Sequence, residues 1–128
     1  MALKDQPYLP LYVQDLLTDE KLIECSASAH GIYLRLLCIL HKQKIYGKIY
    51  LKQKYKQNTS KYINFALMFA KQMPFDQLTI QKGIKELTDE KVITTNEDVL
   101  FQKRMVRDGE ISKIRALSGS IGGKKSKK

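Results

Sequence analysis

Tryptophan is absent from the 128 residues, and cysteine and histidine occur twice each, so the chain is poor in the groups that build disulfide scaffolds and metal sites. Cys25 and Cys38 have no Cys-x-x-Cys spacing and sit in apolar, helix-like surroundings, which predicts reduced core thiols of a cytoplasmic protein. His30 and His41 would lie about three turns apart on one helix, too far to share a metal or a proton, and no zinc site is expected. Long hydrophobic runs are also missing. No stretch reaches the roughly 18 apolar residues of a membrane span. The opening MALKDQPYLPLYV lacks a basic segment followed by an apolar one, so neither secretion nor membrane insertion is expected.

Catalytic constellations are equally scarce. No carboxylate pair or Ser-His-Asp set stands apart from ordinary helix-surface acids. Gly122-Gly123-Lys124-Lys125-Ser126 has neither the spacing nor the preceding strand of a phosphate loop. The expectation is a non-enzyme without cofactor or metal. Acids are missing altogether from residues 41–74, which carry eight lysines, and this absence points to function. The balance by segment is −2 over 1–40, +8 over 41–74, −3 over 75–100 and +7 over 101–128, for a net charge of +10. A surplus so placed suits a polyanionic partner, although a merely soluble basic surface gives the same total.

The length fits one domain. After a Pro-bounded lead with Tyr12, Val13, Leu16 and Leu17 in one or two short helices, helical spacing is strongest from Ser28, an N-cap candidate, to about Gln43. Lys48–Leu51 alternates like a brief strand. Residues Ser60 to Met73 predict a second helix with Ile63, Leu67 and Ala70 as its stripe, widened by Phe65, Met68 and Phe69, and Pro74 ends it. Asp76 caps a third helix with Leu78, Ile80, Ile84 and Leu87 inward and Thr79, Gln81, Lys82, Lys85 and Glu86 outward. Gly83, costly inside a helix by about 1 kcal/mol, suggests close packing against the preceding helix. Val92–Thr95 and Val99–Gln102 around Asn96-Glu97-Asp98 predict a β-hairpin.

That order is mainly α with a small hairpin and matches a winged helix-turn-helix domain over 1–103. Residues 104–128 form a charged helix and a flexible Gly, Ser and Lys linker. In such a domain the third helix enters the major groove of double-stranded DNA while the hairpin reaches the backbone. The expected contacts are Thr79, Gln81, Lys82 and Lys85 from the helix, with Lys52, Lys54, Lys56, Lys61, Lys103 and Arg104 on phosphates. A solvated helix face is the alternative reading of Gln81, Lys82 and Lys85. Winged helices also dock proteins, so a protein-interaction or homodimerising module and a transcriptional regulator remain alternative functions.

The stretch Ala29-His30-Gly31-Ile32-Tyr33-Leu34-Arg35-Leu36-Leu37-Cys38, with its His41-Lys42-Gln43 end, resembles the N-terminal domains of phage and prophage replisome organisers. The lead Tyr12 to Leu17, the hairpin running into Lys103-Arg104 and the Gly-Gly-Lys-Lys tail are similar to that family as well. The resemblance implies a winged helix acting in replication initiation, with Gly31, Tyr33, Leu36 and Leu37 as packing residues. It also implies replication partners such as a helicase loader, engaged by a part beyond this chain.

Overall fold

The structure is a computed structural model describing residues 2–126, with burial and side-chain contacts described over 2–119. Six helices and three strands follow in the order α1 (Val13–Thr18), α2 (Glu20–Ile23), α3 (Ala27–His41), β1 (Lys48–Tyr50), α4 (Lys61–Phe69), α5 (Gln77–Asp89), β2 (Thr94–Asn96), β3 (Val99–Phe101) and α6 (Lys103–Ser126). The fold is mainly helical, with one antiparallel sheet in the order β1-β3-β2.

Helix α3 is the spine. It buries Ala29, Ile32, Leu36, Leu37 and Leu40 at helical spacing. Its N-terminus is closed by Ser26, whose Oγ accepts from the Ala29 amide at 3.1 Å, in place of the Ser28 expected. Ser26 Oγ in turn donates to Glu86 on α5 at 2.9 Å, so an acidic group from another helix sits where the α3 macrodipole favours it. Helix α5 presses Ile80, Ile84 and Leu87 into the core without exposure. Gly83 makes the approach possible: a Cβ there would collide with Ile32 Cδ1 and lie 3.7 Å from the Ala29 Cα. The partner is therefore α3, not α4 as the sequence order suggested.

Helix α4 stops at Phe69, before the expected Met73, and turns fill the segment up to Pro74. Its buried face is Phe65, Ala66, Met68 and Phe69 with Asn64, while Ile63 and Leu67 are half-buried and Ala70 is exposed. Aromatic volume decides the rotation, because Phe65 and Phe69 stack at 6.2 Å in the space below α5. Asn64 is tolerated there because its Nδ2 donates to the Asn58 carbonyl and its Oδ1 accepts from the Asn58 amide.

Leu100 of the central strand faces Ile49 on one side and Thr95 on the other and is fully buried. The hairpin strand begins at Thr94 rather than Val92, since Lys91 takes a left-handed conformation (φ 60°) that closes α5 with amide bonds from Lys91 to Thr88 and Val92 to Leu87. Cys25 is buried, but Cys38 is exposed on the outer side of α3, correcting the expectation of two core thiols.

The lead is bound along α6. The Leu3 amide donates to Ser112 Oγ at 2.8 Å, Tyr12 OH to Asp108, and Arg104 to Asp15 while lying over the Tyr12 ring. Buried His41 completes this side. The Gln6 carbonyl can only accept, so His41 Nε2 donates to it at 2.8 Å and Nδ1 accepts from Tyr46 OH at 2.8 Å. Helix α6 reaches the core through Met105 and lays Gly109 against the Tyr46 side chain. It continues as a helix to Ser126 through the Gly and Ser stretch expected to be a linker; Lys127 and Lys128 lie outside the described residues.

Candidate functional site

Because α5 buries Ile80, Gly83, Ile84 and Leu87, positions 78, 82 and 85 turn outward at 100° per residue, position 81 falls at the edge of the buried face, and position 77, seven residues before Ile84, is on the buried side but is the first residue of the helix. Gln77, Leu78, Lys82 and Lys85 are exposed and Gln81 is half-buried. Leu78 is corrected from core to surface, with 52% of its area exposed. It stands about 200° round the helix from Ile80, so strict helical arithmetic would have placed it correctly. Thr79 is occupied locally, its hydroxyl donating to Asp76 at the N-cap, and this bond holds the Asp76 carboxyl below its usual range. Lys85 Nζ bonds Asp89 one turn on at 2.7 Å, which raises its pKa. Lys82 forms no ion pair among the described residues.

A second group of expected residues gathers beside the hairpin turn. Lys56, Asn58, Ser60, Lys61 and Tyr62 line an open cleft whose far wall is Glu97 and Asp98. Lys56 Nζ bonds Asp98 at 2.7 Å, and Lys61 Nζ donates to the Thr95 carbonyl at 3.1 Å. Lys52 is exposed, and Lys54 lies 5.1 Å from the Tyr55 ring centre. The hairpin connection has two residues, Glu97 and Asp98, with Glu97 at φ 54°. Its tip is therefore acidic, and Lys56 neutralises one of its two charges.

Lys103 and Arg104 belong elsewhere. They line a groove of about 310 Å³ with the lead residues Leu9, Tyr12 and Asp15. Arg104 is committed there to Asp15 and the Tyr12 ring, and the Asp15 bond raises its pKa. Eight of the ten expected contact residues thus divide among α5, the hairpin cleft, and the groove under the lead, while Lys52 and Lys54 line neither the cleft nor the groove. Asn58, Ser60 and Tyr62 join the cleft without a signal in the sequence, since only the meeting of α4 with the hairpin makes them neighbours.

Among the described residues no group of three or more His, Cys, Asp or Glu side chains is placed to hold a metal ion. No helix among them is long and apolar enough to cross a membrane. No family model, curated protein or solved structure matches the chain.

Proposed function

We propose that the chain is a winged helix-turn-helix domain that binds double-stranded DNA in the cytoplasm, with α5 in the major groove, and that it acts by binding rather than catalysis. The observation that carries the reading is the outer face of α5: a helix packed on two neighbours that presents Leu78, Lys82 and Lys85 to solvent, with Gln77 exposed at its first position and Gln81 half-buried at the edge. The succession α3, β1, α4, α5, β2, β3 with sheet order β1-β3-β2 supports the winged form. Lys56 and Lys61 lie beside the hairpin, and with exposed Lys52 and Lys54 they suit phosphate contact. Replication initiation, with a helicase loader among the partners, rests on the resemblance to replisome organisers, and so does its preference over transcriptional regulation.

Mobility shifts on duplex DNA at two salt concentrations test the reading. Binding at low salt should fall steeply as salt rises, because each phosphate contact releases counterions. Lys82→Ala and Lys85→Ala should each weaken it several-fold. No shift at low salt, or a shift indifferent to salt, overturns the proposal. If both variants bind normally while neutralising Lys124 and Lys125 abolishes binding, the end of the chain and not α5 is the binding element.

A second reading, a protein-docking or homodimerising module, is favoured by one feature. Ile114 and Leu117 on α6 are 63% and 58% exposed, beyond the Ser112 hydrogen bond to the lead. A stable dimer in sedimentation together with no DNA shift would select it.

A further inference from the structure

We infer that the outer face of α5 reads A·T base pairs, through contact of Leu78 with the thymine 5-methyl group and of Gln77 and Gln81 with adenine. This rests on the DNA-binding reading and adds to it the class of base pair recognised.

A solvated leucine is ordinary on a protein surface, so exposure alone assigns nothing to Leu78. Its setting is what decides. Leu78 occupies the second position of α5, where a helix entering the major groove end-on meets base edges, and one turn separates it from Lys82. In the major groove an A·T pair offers an apolar feature, the thymine methyl, beside the adenine N7 acceptor and N6 donor. A leucine with two carboxamides along one side of it matches both halves of that pattern. Gln77 and Gln81 lie one turn apart, and each carries the donor and acceptor that adenine N7 and N6 require.

The groups that would read G·C are missing from the face or set away from the helix start. Guanine is read best by a bidentate arginine, and α5 contains none. Lys85 lies two turns beyond the helix start, away from the positions that meet base edges, so it suits a phosphate better than guanine. A carboxylate can accept from cytosine N4, and residues 77–85 of α5 carry none. Lys82 remains as an uncommitted cation. One turn inside the helix start, it suits a backbone phosphate flanking the bases read by its neighbours.

The test is selection from a randomised duplex pool by the full chain, followed by base replacement in the recovered duplex. The recovered sites should be enriched in A·T pairs. Replacing thymine by deoxyuridine removes only the methyl group and should weaken wild-type binding about tenfold, within the range of a single good base contact. Leu78→Ala should bind the thymine and uracil duplexes equally. As Leu78 is solvated the variant keeps its fold, which circular dichroism checks. Replacing adenine by 7-deazaadenine removes the N7 acceptor and should weaken the wild type, each of Gln77→Ala and Gln81→Ala less, and the double variant not at all. Recovery of G·C-rich or unbiased sites, or equal wild-type binding of thymine and uracil duplexes, overturns the inference while DNA binding stands. A chain that retains no duplex at all overturns the DNA-binding reading, and this one with it.

Discussion

Gly83 and Tyr46 both sit where their surroundings leave little freedom. Ile32 fills the volume a Cβ at position 83 would need, and Ile32 is itself fully buried, so its end has nowhere to retreat. Gly83→Ala should therefore lower stability by about 1–2 kcal/mol, even though alanine is the better helix former. A thermal melt several degrees below wild type would confirm this, and an unchanged or higher midpoint would contradict it. Tyr46 is held protonated by burial, which pushes its pKa from 10.0 up to about 12. The folded state binds that proton more tightly than the unfolded chain does. Its contribution is thus complete below pH 10 and lost as pH rises towards 12. Melting temperature should fall across that window. Tyr46→Phe should flatten the fall while destabilising the neutral protein by about 1–3 kcal/mol, because His41 Nδ1 loses its donor. Tyr33, raised by burial as well, leaves a residual slope.

At the scale of elements, the hairpin departs furthest from the expected role. A wing that grips DNA normally brings cations to the backbone, whereas this turn carries Glu97 and Asp98. Asp98→Asn should release Lys56 for phosphate and strengthen duplex binding a few-fold at low salt, with the gain vanishing at high salt. Weaker or unaltered binding in a titration at both salts would mean that the cleft does not face DNA. The elements themselves were largely legible: α3 and α5 follow from apolar spacing, and β1 and the hairpin from alternation between turns. What stayed hidden depended on contacts distant in sequence. Ser26 rather than Ser28 caps α3 because Glu86 arrives from sixty residues away. Leu78 is the exception, since its place two residues before Ile80 turns it to water by helical spacing alone. Helix α4 is rotated because Phe65 and Phe69 outweigh the smaller stripe. For the candidate site the sequence marked residue types only, and where the fold sets those residues was not legible, since charge along a chain says nothing of which lysines meet carboxylates.

For the molecule as a whole, the lead and α6 form one layer outside the α3, α4 and α5 core. Deleting residues 2–11 should loosen α6 without unfolding that core, because it removes the Leu3 bond to Ser112 and the Gln6 bond to His41. Amide exchange should then quicken over residues 104–112 and stay slow in α3 and α5; global acceleration would instead mark the lead as part of the folding core. The lead also runs antiparallel to α6, with Leu3 at Ser112, Tyr12 at Asp108 and Asp15 at Arg104. Tension drawn between the lead and the far end of α6 would meet these attachments in succession and not together. They would part like a zip, Leu3 first and Asp15 last, at forces set by one bond at a time. A load transmitted through α6 would therefore peel the lead away while the helices beneath it remained packed.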